Sequence, residues 1–179
     1  MTIPTHIVWG GALALTALAA CTDWSRRRIP NWLTVPALLV GVGLNTFLMK
    51  WHGTKVSLEG AGLALGLFLP LVIMRGVGAG DWKLMGALGA ILGPARFLVV
   101  MLASIFFAGV MALVEVLRQG EMKKTVANMA VLVHGFFTFG LRPNPAVSLD
   151  NPGMLKLPFG VAAAAATATC YGLIYLRLR

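Results

Sequence analysis

The sequence is poor in acidic residues, and cysteine and histidine are also scarce. Of 179 residues, six are Asp or Glu, two are Cys and three are His. Cys21 and Cys170 stand in apolar runs without a CxxC pair, which argues against a disulfide framework or a cysteine zinc site. The chain also has no HExxH string of a zinc protease. We therefore expect no metal and no other cofactor.

Long apolar runs take the place of a charged surface. The chain is 58% hydrophobic, with a mean hydropathy of +0.82, so it cannot coat a soluble core with charge. A span needs roughly 20 apolar residues. Runs without Asp, Glu, Lys or Arg cover residues 1–22, 31–49, 60–74, 84–95, 97–114, 125–141 and 157–176. We predict one all-α membrane domain over residues 1–179, with about six transmembrane helices.

Basic residues dominate the charge, with a formal net charge of +9. In a polytopic membrane protein Lys and Arg mark cytoplasmic loops, so we do not expect nucleic acid as a partner. Two candidate spans separate Asp23 from Asp81, which places both aspartates on one side of the membrane. That side would carry ten of the fifteen Lys and Arg residues, and we predict that it is cytoplasmic and that the N-terminus lies outside.

The segment 118–156 reads as an insertion before the last helix. Within it, residues 125–141 form either a seventh span or a segment at the membrane interface. Basic Lys123, Lys124 and Arg142 flank this run and favour the interfacial position. We therefore expect a cytoplasmic or interfacial segment here, with the seventh span as the alternative.

Asp23 and Asp81 are the acids with a chemical interpretation, because the other four lie in loops, at their edges or near a helix end, where solvation explains them. Two carboxyl groups held close together share one proton, which yields one base and one acid at the same pH. Such a pair hydrolyses a peptide bond by activating water and polarising the carbonyl.

Three alternating glycines precede Asp81, at positions 76, 78 and 80. Glycine permits positive φ and leaves room for a second backbone, which a protease needs because a helical substrate hides its peptide bonds. We expect these glycines to shape the site; simple loop flexibility is the alternative that the spacing leaves open.

Three stretches together resemble a known family. They are DWSRRRIPNWLT at 23–34, GAGDWKLMGALGAILG at 78–93 and LPFGVAAA at 157–164. They are similar to the first aspartate with its IPN string, the GxGDxKL element and the (I/L)PFG entry to the last helix of the type IV prepilin leader peptidases. These are bacterial GxGD membrane aspartyl proteases.

The resemblance implies a prepilin peptidase in the bacterial inner membrane, with six transmembrane helices and an active site that faces the cytoplasm. It implies cleavage of a basic leader from pilin-like precursors, here of the Flp type, because no cysteine-paired methyltransferase region is evident. Asp23 and Asp81 would be catalytic. The site-shaping residues would be Gly78, Gly80, Lys83, Pro30, Asn31, Pro158, Phe159 and Gly160, although Lys83 at i+2 should point away from Asp81 and the last three equally fit a plain helix start.

A different class uses the same aspartates. In a small transporter or proton-relay subunit, Asp23 and Asp81 would bind a cation or a proton near broken helices. A site deep within a span would favour the transporter. The boundary positions of both residues favour the protease, and neither the oligomeric state nor the cleavage preference follows from the sequence.

Overall fold

The described part of the chain is a bundle of helices joined by turns. A computed structural model describes residues 3–120, 127, 130 and 157–177, and these residues contain no strand. The helices with defined bounds are α1 (Ile3–Arg26), α2 (Asn31–Ile73), α3 (Ala79–Leu92), α4 (Pro94–Gln119) and α5 (Phe159–Arg177). The prediction of an all-α fold is confirmed for these ranges.

Four of these helices are long and apolar enough to cross a membrane. The qualifying stretches are Thr5–Arg26, Asn31–Ile73, Pro94–Gln119 and Phe159–Leu176. The sequence predicted about six spans, and the difference lies in α2 and α3. α2 joins two of the predicted runs in one element, and α3 is shorter than a span.

α2 is a hairpin rather than one continuous rod. Lys50 interrupts it with φ 53 and ψ −137. A Cβ added to Gly53 would overlap the backbone carbonyl of Asn45. Residues on the two sides of Lys50 therefore lie against each other, which means that the chain reverses direction at this break. The side chains of Thr46 and Thr54 share a hydrogen bond of 2.8 Å across this turn. Residues 31–49 and 51–73 therefore form two arms.

α3 lies between the two arms of α2. Gly41 of the first arm packs against Ile91, and a Cβ on Gly60 of the second arm would overlap the carbonyl of Gly89. The first arm runs parallel to α3. Asn31, where this arm begins, lies beside Lys83 near the start of α3, and Gly41, further along the arm, lies beside Ile91 near the end of α3. Glycine is required at the Gly60 and Gly89 contact, since a larger residue would push the two backbones apart.

The short α3 is sealed inside protein. Its 14 residues extend about 21 Å, against about 30 Å of hydrocarbon, and every residue from Leu84 to Leu92 is buried. The carbonyls of a last helical turn have no partner within the helix. Here Asn45 donates to the carbonyls of Ala90 and Ile91 at 2.9 and 3.0 Å, and Ser57 donates to Ala90 at 2.6 Å.

α5 closes the bundle by packing against both α1 and α4. Its buried face consists of small residues, among them Ala163 and Ala166, which face a core that includes Trp9, Leu84 and Phe97. At its first turn Gly160 lies against Ala19 of α1. This contact brings the end of α1 and the beginning of α5 together.

Most of the predicted insertion 118–156 lies outside the described residues. Arg118 and Gln119 belong to the last turn of α4. The interfacial position of residues 125–141 therefore stays a prediction.

Candidate active site

Asp23 lies in the last turn of α1 and faces the interior, with 6% of its surface exposed. Its Oδ2 accepts a hydrogen bond of 2.8 Å from the backbone N–H of Gly160. The first N–H groups of a helix have no acceptor within that helix. Asp23 supplies one for α5, and its carboxylate also lies at the positive end of the helix dipole.

Asp81 lies in the first turn of α3, outside the four candidate spans. It accepts a hydrogen bond from the backbone N–H of Gly78, the residue that caps this helix. An acidic residue in the third helical position often reaches back in this way. A Cβ on Gly78 would lie 3.0 Å from Oδ2 of Asp81, closer than an unstrained contact. Glycine at position 78 therefore lets the carboxyl group fold over the helix start.

The two carboxyl groups interact electrostatically. Burial raises the pKa of Asp81, and the nearby charge of Asp23 raises that pKa further, to about 7, although the Gly78 N–H opposes the shift. An unperturbed aspartate has a pKa of about 3.9. Near neutral pH, Asp81 therefore holds a proton for a substantial part of the time. The pair can offer one carboxylate and one carboxylic acid together.

The glycines before Asp81 do not use the positive φ that glycine permits. Gly78 has φ −68, and the positive-φ residue of this turn is Arg75, at φ 56. The left-handed residue is needed where α2 ends, because there the N–H of Arg75 bonds Val72 and that of Gly76 bonds Leu71. The glycines contribute space instead.

Gly80 supplies that space against the segment that follows α1. A Cβ on Gly80 would lie 2.9 Å from the carbonyl oxygen of Ile29 and 3.2 Å from its Cβ. Pro30 follows and caps α2 in an extended conformation. A second backbone does approach Gly80, but it is the chain's own, and the approach of a substrate backbone stays a prediction.

Lys83 and Asn31 form a second link between the same two segments. The Nζ of Lys83 donates to Oδ1 of Asn31 at 2.9 Å. The i+2 spacing along α3 turns the Lys83 side chain away from Asp81. Lys83 ties α3 to the first turn of α2 and is not the charge partner of Asp81.

The start of α5 completes this end of the bundle. The N–H of Val161 bonds the carbonyl of Pro158 at 3.1 Å and opens the helix. The ring of Phe159 packs edge-on against Phe68 of α2, with centroids 6.4 Å apart. Of the predicted residues, Gly160 contacts Asp23 directly, and Pro158 and Phe159 support it by fixing where α5 begins.

Two contributors to this end were not predicted from the sequence. Ile29 forms the surface on which Gly80 rests. Trp82 is half-buried and donates from Nε1 to the carbonyl of Leu65 at 2.9 Å. Neither role has a local signal, since both depend on contacts across the bundle.

The described residues contain no group of three or more His, Cys, Asp or Glu side chains that could hold a metal ion. The two carboxyl groups of Asp23 and Asp81 are the candidate catalytic groups at this end.

The described residues thus form helices, four of them of membrane length, that bring two carboxyl groups together at one end. The sequence profile of the type IV leader peptidase family matches residues 11–113, and the chain belongs to this family. The match includes Asp23 and Asp81, while Gly160 lies beyond it and joins the site through the fold. No curated protein and no solved structure matches the chain.

Proposed function

We propose that this protein is an intramembrane aspartyl endopeptidase that removes the basic leader from pilin-like precursors of the Flp type. The observation that carries the proposal is the pairing of Asp23 with Asp81 at one end of the bundle, within the residues that match the leader peptidase family. Peptide hydrolysis without a metal needs one base and one acid, and this pair supplies both.

The surroundings of the two aspartates differ and suggest their roles. We assign Asp23 as the base of the pair, because the N–H of Gly160 and the start of α5 stabilise its charged form. It takes a proton from the attacking water. Asp81, with a pKa of about 7, donates its proton to the oxygen of the scissile carbonyl. Collapse of the tetrahedral intermediate returns a proton to the leaving amine and breaks the C–N bond.

The proposed topology has six helical segments in the bilayer: α1, the two arms of α2, α3, α4 and α5. The arms of α2 shield α3, so a helix shorter than a span is tolerated. Asp81 then lies at the aqueous boundary of α3. The excess of Lys and Arg at this end supports a cytoplasmic active site in the inner membrane and an N-terminus on the outside.

The test is co-expression with a Flp-type prepilin from the same genome, followed by measurement of the precursor's mass. We expect a mass loss that matches leader removal, abolished by Asp23→Asn and by Asp81→Asn while both proteins still insert. Glu59→Gln is the matched control, because Glu59 is an exposed acid on α2, well away from the dyad. It should process normally.

Full processing by either aspartate variant would contradict the dyad mechanism. If the inserted wild type leaves the precursor uncut, the peptidase proposal for this substrate class fails. Proton-coupled uptake in proteoliposomes would then test the transporter alternative with the same two variants.

A further inference from the structure

Thr34, in the first turn of α2, has a buried hydroxyl group without a hydrogen-bond partner. The residue is 1% exposed, and no described group lies within hydrogen-bond distance of its Oγ1. The other buried hydroxyl groups of the described residues each donate to a backbone carbonyl, and they belong to Thr16, Ser57, Ser104 and Thr167. Buried polar groups almost always have a partner, so the exception at Thr34 calls for a physical reason.

The local backbone explains why Thr34 does not bond to its own helix. A threonine inside a helix commonly donates to the carbonyl four residues back, and here that residue is Pro30. The carbonyl oxygen of Pro30 already accepts the N–H groups of Leu33 and Thr34, at 3.1 and 3.4 Å. A carbonyl oxygen has two lone pairs. No acceptor site is therefore left for the hydroxyl group.

Thr34 lies on the face of α2 that packs against α3. Gly41 and Asn45 follow it by 7 and 11 residues, which are helical repeats of the same face. Gly41 packs against Ile91, and Asn45 donates to the carbonyl of Ile91 at 3.0 Å. The side of α2 that carries Thr34 is therefore turned toward α3.

The depth of Thr34 in the bundle is close to that of Asp81. Gly41 and Ile91 are in contact, and Thr34 precedes Gly41 by 7 residues while Asp81 precedes Ile91 by 10. The two segments run parallel, so this difference of three residues places Thr34 about 4.5 Å further along the bundle than Asp81. A water molecule that bonds to two groups bridges about 5.5 Å, because each O–H···O bond is about 2.7 Å.

We propose that Thr34 is a positioning residue of the active site, whose hydroxyl group holds a buried water molecule that hydrogen-bonds to the carboxyl group of Asp81. The hydroxyl group donates to the water, and the water donates to a carboxyl oxygen. Buried water makes about two to four hydrogen bonds to polar groups that otherwise lack a partner. Thr34 is such a group, and Asp81 supplies the second bond.

The water has a consequence for catalysis, which rests on the proposed function. Asp81 also accepts a hydrogen bond from the N–H of Gly78. Two donors fix the orientation of the carboxyl group and leave its proton free to reach the scissile carbonyl. A general acid needs this geometry at the moment of proton transfer. Loss of the Thr34 hydroxyl group should therefore act on kcat rather than on substrate binding.

The bound water is tested by infrared spectroscopy without any substrate. Purified protein in detergent is measured below and above about pH 7, where Asp81 loses its proton, and the difference spectrum contains the C=O band of the acid. Loss of this band in Asp81→Asn identifies it. Thr34→Val keeps the shape of the side chain and removes the hydroxyl group. We expect it to move the band to higher wavenumber, because the C=O loses a hydrogen bond, and to abolish a water band that shifts in heavy-oxygen water.

Thr34→Ser keeps the hydroxyl group and should keep both bands. The matched control is Thr167→Val, because Thr167 is equally buried but donates to Ala163 of its own helix at 2.8 Å. It should leave both bands in place. Unmoved bands in Thr34→Val, or the same changes in Thr167→Val, would overturn the proposal. Thr34→Ala gives the same comparison if the valine variant does not fold.

Kinetics with a prepilin separate positioning from a purely structural role. Thr34→Val should lower kcat roughly tenfold, as expected for one hydrogen bond to a group that becomes charged in the transition state, and leave KM nearly unchanged. Thr34→Ser should restore kcat. An increase in KM at unchanged kcat would contradict the assignment. The infrared result needs no precursor, so failure of the peptidase proposal would not affect it.

Discussion

The carboxylate of Asp23 accepts a 2.8 Å hydrogen bond from the backbone of Gly160, 137 residues further along the chain. This bond joins the end of α1 to the beginning of α5, outside the part of the chain that matches the family profile. It makes the charge of one proposed catalytic residue depend on the position of the last helix.

Replacing Gly160 with alanine should therefore impair catalysis. The added Cβ would lie 3.0 Å from the carbonyl oxygen of Ala19 and 3.1 Å from the Cβ of Asp23, so α5 must move away from α1. The hydrogen bond to Asp23 lengthens, and we expect turnover of a prepilin to fall by roughly tenfold, the loss of one charge-assisted hydrogen bond. Gly172→Ala on the same helix is the control, since nothing lies within 4 Å of its Cβ. Equal activity of the two variants would exclude this role of Gly160.

Gly80→Val should reduce turnover more than membrane expression. Even a single Cβ at position 80 would lie 2.9 Å from the carbonyl oxygen of Ile29, and valine adds two further carbons. The start of α3 must then shift and take Asp81 with it. The control is Gly62→Val on α2, where the Cβ meets nothing within 4 Å. Parallel loss of expression and activity in Gly80→Val would assign Gly80 to folding alone.

The hydrogen bond between Lys83 and Asn31 should act as a positioning link. Lys83→Met and Asn31→Ala should each lower turnover by roughly 2- to 10-fold, the usual range for one hydrogen bond. Because both remove the same 2.9 Å contact, the double variant should be no worse than either single one. The pH at which activity is half-maximal should not move in Lys83→Met. An upward shift would instead make Lys83 a charge partner of Asp81.

The sequence was sufficient for the helical class, the family and the meeting of Asp23 with Asp81. An even number of runs between the two aspartates places them on one side, and helical spacing turns Lys83 away from Asp81. The family follows from the three motif stretches, and the other conclusions need only local periodicity and parity. The pairing of Asp23 with Gly160 had no local signal, because it arises when α5 packs on α1.

The separate apolar runs at 31–49 and 60–74 anticipated the two arms of α2, whereas the tight turn at Lys50 and the complete burial of residues 84–92 in α3 were beyond the sequence. Apolar runs report hydrophobicity, and they do not distinguish a helix that faces lipid from one enclosed by its neighbours. The left-handed backbone conformation falls on Arg75 and not on the neighbouring glycines for a related reason. The left-handed residue falls where α2 ends, and that point is set by tertiary packing rather than by the residue type that tolerates it best.

Asp81→Asn should stabilise the protein, and the gain should depend on pH. Folding raises the pKa of Asp81 from about 3.9 to about 7, so the folded state favours the protonated group. The stability of the wild type is then greatest below the unfolded pKa and declines as pH rises toward 7. Asparagine does not titrate. Thermal unfolding in detergent should show a gap between the two proteins that opens from about pH 4 to about pH 7 and stays constant above it. A constant gap from pH 4 to pH 8 would contradict the raised pKa.

Asn45→Ala should destabilise the fold without changing the site. Asn45 is 2% exposed, and its amide donates to the carbonyls of Ala90 and Ile91 where α3 ends, far from Asp81. Removing a buried donor leaves these acceptors short of a partner and costs about 1–3 kcal/mol. The free energy of unfolding should fall by that amount. The rate constant kcat on a prepilin should stay within about twofold, because the loss lies in the stability of the fold and not in the activation barrier, where about 1.4 kcal/mol would change the rate tenfold. Gly43→Ala, two residues away on the same arm, where a Cβ meets nothing within 4 Å, should lower neither quantity. A large loss of kcat in Asn45→Ala would mean that the far end of α3 controls the position of Asp81.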